Sequence, residues 1–236
     1  MFKASPALAF AAVVAAPAFL AAPASAQDGG WAMTVGAATD NRSKDASKSD
    51  GKPFVFGTAE WSSASGFFYA GPGFETIDSS TGSKLELQAY AGVRPQVAGF
   101  DLDLKAAYKH QVDANPGADN DAWEFTANLS RSIGPAKARL QLQHSPDGSG
   151  GVKSWTWVEA RAGWDFTDKL EGAVAVGRRE QDGAPDYTGW NAGLTYAATR
   201  SLDLELTYYD TNAKVPLGQS TRQYDGALVA GVRAYF

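Results

Sequence analysis

Two histidines, His110 and His144, are the only ones in this 236-residue chain, and Ser145 directly follows His144. A histidine base beside a serine nucleophile would suggest hydrolysis. Adjacent residues of a β-strand point to opposite faces, however, so Ser145 cannot easily reach the imidazole of His144. An interfacial role for both histidines is the preferred interpretation. Two histidines without any cysteine also argue against a transition-metal site.

Acidic residues cluster in a polar stretch at Asp113 and at 119–121, where Asp119, Asn120 and Asp121 are consecutive. This stretch lacks the glycine and the closing glutamate of a calcium-binding loop, so it is interpreted as a solvated loop. The chain also has no glycine-rich phosphate loop between a strand and a helix. The sequence therefore predicts no cofactor and no metal.

The remaining charged residues recur at alternate positions of predicted strands, opposite apolar residues. Because side chains alternate along a strand, one face can meet lipid while the charged face lines a lumen. The predicted lumen-lining residues are Lys84, Glu86, Arg94, Asp101, Asp103, Lys105, Glu124, Lys137, Arg139, Glu159, Arg161, Asp165, Glu171, Asp203, Glu205, Asp225 and Arg233. Both signs are well represented, so either water fills the lumen or these groups pair across it.

The alternation extends over about twelve segments, which predicts an all-β, transmembrane, antiparallel up-and-down β-barrel. The predicted strands are 31–39, 53–61, 66–77, 84–95, 100–111, 121–132, 136–145, 153–166, 169–180, 187–198, 202–211 and 222–236. Short turns alternate with longer polar loops, as in outer-membrane barrels with short periplasmic turns and both termini periplasmic. A soluble β-sandwich or a lipocalin-like barrel is the alternative fold.

Residues 1–26 have the pattern of a secretory signal peptide. Lys3 precedes an alanine-rich apolar stretch, and Ala24-Ser25-Ala26 offers small residues for cleavage. A membrane anchor is the alternative, but Pro17 and Pro23 interrupt the stretch. The sequence thus predicts Sec export and one barrel domain over residues 27–236. The chain has no cysteine, so it must hold together without disulfides.

The last predicted strand ends the chain on an aromatic residue. Phe236, Ala234 and Val232 share its apolar face, and this pattern resembles the terminal strand that the bacterial barrel assembly machinery recognises. The usual pattern has a large apolar residue two positions before the final phenylalanine, where this chain has Ala234. Phe236, Ala234 and Val232 are therefore the predicted assembly signal.

Three segments resemble the TorF family of proteobacterial porins. They are ATDNRS at 38–43, ASGFFYAG at 64–71 and LELQAYAG at 85–92. The resemblance covers nearly the whole chain after residue 26. It implies an outer-membrane location and a pore, without identifying a solute.

These observations predict a monomeric outer-membrane porin that passes small hydrophilic solutes or ions by passive diffusion. Its expected partners are outer-membrane lipid and lipopolysaccharide, the barrel assembly machinery and the solutes themselves. The formal charge of −5 does not favour nucleic-acid binding. Two alternatives remain open: a structural barrel plugged by internal ion pairs, and a barrel enzyme of the phospholipase or protease type.

The predicted lipid face can be tested with arginine substitutions. Leu140→Arg or Leu204→Arg should weaken membrane insertion by roughly 2 to 4 kcal/mol for a midplane position, because arginine must be desolvated there. Gln141→Arg, on the opposite face, should be mild. Heat-modifiable gel migration and protease resistance after refolding measure insertion. Equal effects at positions 140 and 141 would contradict the predicted facing.

Overall fold

The computed structural model describes residues 29–215 and 221–236. The predicted signal peptide, residues 1–26, lies outside the described residues and stays a prediction. Within the described ranges, no helix is long and apolar enough to cross a membrane.

Twelve long strands form the main sheet of the described chain. They are β1 (Gly30–Ala38), β2 (Phe54–Ser62), β3 (Phe68–Thr76), β4 (Leu85–Val93), β5 (Phe100–Val112), β6 (Asp121–Ile133), β7 (Ala136–Ser145), β8 (Trp155–Thr167), β9 (Leu170–Gln181), β10 (Tyr187–Thr199), β11 (Leu202–Thr211) and β12 (Ala227–Tyr235). Three further strands are short. Gln96–Val97 pairs with the start of β5 in the same sheet, while Arg42–Ser43 and Ala46–Ser47 pair only with each other.

Each long strand pairs antiparallel with the next one in the chain, including β4 with β5. The sheet closes because β1 also pairs with β12, for example Val35 with Ala234. This closed twelve-stranded antiparallel barrel confirms the predicted fold class. Closure leaves neither end of the sheet unpaired, which satisfies backbone hydrogen bonds without disulfides.

Strand β8 illustrates how the sequence forms the wall. Its residues alternate between buried positions such as Trp157 and Arg161 and exposed apolar positions such as Val158 and Trp164. Trp157 is fully buried, and its indole lies against Gly177 of β9, where a Cβ atom would come within 2.1 Å of the ring. The barrel therefore has an apolar exterior and an interior that combines aromatic and charged side chains.

The connections differ at the two ends of the barrel. Short turns at 63–67, 94–99, 134–135, 168–169 and 200–201 lie at one end, and longer loops lie at the other. Both ends of the described chain lie at the turn end, where Met33 and Phe236 exchange two backbone hydrogen bonds. The last strand is shorter than the predicted 222–236, because Tyr224 and Asp225 both donate backbone N–H groups to the carbonyl of Thr221 in a turn.

Candidate functional site

The loop after β1 is the main departure from the sequence prediction. The sequence predicted a loop without regular structure at 40–52, but residues 40–50 fold as a short hairpin, here called the inner hairpin. Its buried residues are Asp40, Asn41, Arg42, Asp45, Ala46, Ser47 and Ser49. Lys44 and Asp45 have φ angles of 55° and 63°, as the two central residues of a type I′ turn require. Such turns favour the sequence Asn-Gly, so the Lys-Asp pair at 44–45 did not indicate a hairpin in the sequence.

Hydrogen bonds within the inner hairpin hold its base together. The Asp40 carboxylate accepts from the hydroxyl of Ser47 at 2.6 Å and from that of Ser49 at 2.9 Å. Asp40 also pairs with Arg42, whose guanidinium donates to the backbone carbonyl of Asp225 at 2.9 Å. These bonds tie the hairpin to the loop that precedes β12.

One side of the inner hairpin packs against aromatic residues of the barrel wall. Ala46 forms a buried cluster with Trp155 and Trp157 of β8 and Tyr187 of β10. The Tyr187 hydroxyl donates to the Lys44 carbonyl at 2.7 Å, and the Lys44 ammonium lies 4.2 Å from the centre of the Trp155 ring. We call these three wall residues the aromatic anchor.

A polar contact on β10 adds to this attachment. Asn191 donates to Asp45 at 2.7 Å, and Gly189 lies beside the same carboxylate. A Cβ atom at position 189 would come within 2.5 Å of an Asp45 oxygen, so only glycine leaves room for this approach. The hairpin tip is therefore fitted closely to β10.

The other side of the inner hairpin meets carboxylates that belong to distant strands. Lys48 pairs with Glu75 of β3 and, at 2.9 Å, with Glu86 of β4. Lys109 of β5 lies 3.3 Å from Glu86 and 3.1 Å from Glu124 of β6. Lys44 lies 3.9 Å from Glu124. Charges thus alternate in sign from Glu75 to Lys44, and we call Glu75, Glu86 and Glu124 the acidic wall.

Further ion pairs line the barrel toward the turn end. The pairs are Arg94–Glu60 at 2.8 Å, Arg94–Asp103 at 3.5 Å, Lys137–Asp165 at 2.7 Å, Lys137–Glu171 at 2.8 Å, Arg139–Glu159 at 2.6 Å and Arg233–Glu205 at 3.1 Å. Most of these side chains are largely shielded from water. The interior is therefore lined by paired charges.

Most of the residues predicted to line the lumen are buried or half-buried in the structure. Buried ones are Glu86, Lys105, Glu124, Glu159, Arg161, Glu171, Asp203 and Arg233, and half-buried ones are Arg94, Asp103, Lys137, Arg139, Asp165 and Glu205. Asp101 is also half-buried, but it lies at the turn end and accepts from Gln96 at 2.8 Å.

Two predicted lining residues lie elsewhere. Lys84 is exposed in the loop before β4, where it pairs with Asp78. Asp225 is exposed in the loop before β12, because that strand starts two residues later. In both cases the sequence prediction began the strand earlier than it begins in the structure.

Sequence reasoning missed Glu60, Glu75 and the lysines of the inner hairpin. Aromatic residues on both faces obscured the facing of β2 and β3, since Phe68 is exposed and Tyr69 is buried. Counting in twos from Tyr69 would have placed Glu75 inward. No such pattern exists for Lys44 and Lys48, which reach the lumen only through the inward course of their loop.

The side chains of His144 and Ser145, which were considered for catalysis, point away from each other. His144 is exposed and within 3.0 Å of the Thr156 hydroxyl, while Ser145 is buried and donates to the carbonyl of Asp147 at 3.0 Å. The two side chains therefore point to opposite faces, as predicted. The described residues contain no group of three or more potential metal ligands.

Two adjacent residues at the hairpin tip have shifted pKa values. Burial raises the pKa of the Asp45 carboxyl to about 7, although its hydrogen bond from Asn191 opposes the shift. Burial lowers the pKa of the Lys44 ammonium to about 7, although Glu124 opposes that shift. For Lys48, the carboxylates of Glu75 and Glu86 outweigh burial and raise the pKa. The hairpin tip is therefore the part of this loop whose charge changes near neutral pH.

The fold places the protein in the class of closed twelve-stranded antiparallel barrels. The chain belongs to Gcw_chp, a family described as bacterial proteins of unknown function, whose model matches residues 22–236. No curated protein sequence matches the chain.

Solved structures share this fold at low sequence identity. A KdgM porin is 8% identical, with a TM-score of 0.58 over 87% of this chain and 99% of that chain. A NanC porin is also 8% identical, with a TM-score of 0.56 over 88% and 99% of the two chains. The COG4313 outer membrane channel from Pseudomonas putida F1 is 11% identical, with a TM-score of 0.54 over 99% of each chain.

Asp45→Asn tests the buried carboxyl. Because the folded pKa is raised, the folded protein binds this proton more tightly than the unfolded chain does. The contribution of Asp45 to stability is therefore present at low pH and lost as pH rises toward about 7. Between pH 5 and pH 7 the loss should be about 2 to 3 kcal/mol, and the variant should not show it.

Thermal unfolding in detergent micelles at pH 5 and pH 8 measures this difference. Comparing the two proteins separates Asp45 from other carboxylates, and Asp50→Asn, in the more exposed part of the same loop, is the matched control. An identical pH response of wild type and Asp45→Asn would show that the carboxyl is not perturbed by burial.

Proposed function

We propose that this protein is an outer-membrane channel that passes small hydrophilic solutes or ions by passive diffusion. The observation that carries the proposal is a continuous charged lining inside a closed barrel whose exterior is apolar. Exposed apolar residues occur around the barrel, including Val35, Leu140, Val174 and Leu204. Such a surface is stable in hydrocarbon, while a charged lining needs water or counter-charges.

The proposal assigns the narrowest part of the channel to the inner hairpin. The hairpin contacts the acidic wall on one side and the aromatic anchor on the other, so any path through this level must pass beside it. Charged groups at a constriction set the local potential that a passing solute feels. The hairpin would therefore control both the size and the charge of the opening.

The same proposal includes export and assembly. Residues 1–26 would be removed as a signal peptide, both termini would face the periplasm, and Phe236, Ala234 and Val232 would present the assembly signal. Phe236 and Val232 are exposed, as an apolar recognition face requires. Lipopolysaccharide and outer-membrane lipid would surround a monomer. The TorF-like segments support this assignment, as does the KdgM porin, one structure of which is described as a complex with disordered oligogalacturonate.

A plugged structural barrel is the second candidate, and the depth of the ion pairs favours it. Arg233, Glu171 and Lys109 are at most 5% exposed, which is low for groups that line an open channel. Buried ion pairs become costly once one partner is removed, so such a network can fill a barrel firmly. In this case the inner hairpin would be a permanent plug.

Conductance in planar bilayers distinguishes the two candidates. We expect small wild-type currents and several-fold larger currents after residues 41–50 are replaced by a short Gly-Ser linker, because the constriction is removed. Shortening loop 182–186, which is outside the hairpin, should leave conductance unchanged. A wild type that folds but carries no current would support the plugged barrel instead, and currents that appear only in the linker protein would identify the inner hairpin as the plug.

His144→Ala/Ser145→Ala tests the enzyme alternative. We expect normal assembly and unchanged conductance, because the two side chains point to opposite faces and neither belongs to the ionic lining. Lipid and peptide hydrolysis should be assayed in parallel on both proteins. A hydrolase activity of the wild type that disappears in the double variant would replace the channel as the main function.

A further inference from the structure

The acidic wall contains two carboxylates that oppose each other directly. Glu75 and Glu86 are cross-strand partners in the pairing of β3 with β4, and they are only 7% and 5% exposed. Like charges in this position repel each other, and shielding from water strengthens the repulsion. A cation placed between the two carboxylates relieves this repulsion.

The inner hairpin supplies that cation. Lys48 contacts both Glu75 and Glu86, and Lys44 approaches Glu124 at 3.9 Å. The barrel wall contributes Lys109, which already bridges Glu86 and Glu124. If the hairpin moved away, three carboxylates would share one directly paired wall lysine, and this part of the lumen would become negatively charged.

We propose that the acidic wall is a binding site for cationic solutes with primary amines, and that Lys44 and Lys48 occupy it as tethered substitutes. This inference rests on the proposed channel function and adds a solute class and a means of opening. An ammonium group of a solute offers the same charge and donors as the lysine side chain that it displaces. Diamines fit best, because the hairpin presents two ammonium groups, four residues apart, to the same row of carboxylates.

Displacement would open the channel because the same carboxylates cannot pair with both partners. A solute that binds only when the hairpin is undocked shifts the protein toward the undocked state. The aromatic anchor and the Asp45–Asn191 hydrogen bond involve β8 and β10, which are not strands of the acidic wall, so the ionic contacts can break while these persist. The open channel would then be selective for cations, since its exposed wall is acidic.

Lys44→Gln/Lys48→Gln tests the proposal by removing the tethered ammonium groups. The variant should conduct more than wild type, and its reversal potential in a salt gradient should shift toward cation selectivity. Lys52→Gln is the matched control, because Lys52 lies just after the hairpin, is exposed and pairs with Asp78 outside the acidic wall. The control should behave as wild type.

Equilibrium binding of 1,5-diaminopentane, measured by calorimetry in detergent micelles, provides a readout that does not depend on conduction. The lysine double variant should bind the diamine at least about tenfold more tightly than wild type, because the competing groups are gone. Glu75→Gln/Glu86→Gln should abolish binding, although it also releases Lys48. This pair of variants separates a loosened hairpin from a cation site.

These experiments can contradict the cation site without contradicting the channel function, and the reverse. Equal diamine affinity and equal reversal potential in wild type and the lysine double variant would overturn the cation site, even if both proteins conduct. Tighter binding by the variant, lost in Glu75→Gln/Glu86→Gln, would support the site even if no protein conducts. If the Gly-Ser linker protein folds but carries no current, that result contradicts the channel function and leaves the cation site untouched.

Discussion

Closure of the sheet is the constraint on which the rest of this structure depends. Pairing of β1 with β12 encloses the inward side chains, so those of neighbouring strands lie close together inside the barrel. Charged residues at alternate positions are thereby brought together in an enclosed interior, where many of them are shielded from water. Each must then find a partner of opposite charge, because an unpaired buried charge costs several kcal/mol.

The inner hairpin supplies the partner of opposite charge at the loop end of the barrel. Without it, Glu75 and Glu86 would oppose each other in a shielded environment, and Lys48 neutralises that repulsion. The hairpin in turn depends on the barrel, since its Lys44–Asp45 turn is held by contacts to Tyr187 and Asn191. Loop and wall are therefore mutually stabilising.

The two attachments of the hairpin differ in physical character. Packing on the aromatic anchor depends on apolar burial, while contact with the acidic wall depends on charge and is sensitive to competing cations. A loop held by two unlike interactions can lose one while the other persists. In the proposed displacement, this difference allows the hairpin to leave the acidic wall while the barrel stays unchanged.

The sequence by itself determined the barrel and the facing of most strands, because the two-residue period of a strand is a local property that each segment carries alone. Glu86, Glu124 and Arg161, which the alternation assigns to the inward face, are buried in the structure. Only the tertiary structure decided the ends of that pattern and the course of loop 40–50. Lys44 and Lys48 look like solvated loop residues until β3, β4 and β6 bring their carboxylates together, and contacts between such distant segments leave no periodic signal in the chain.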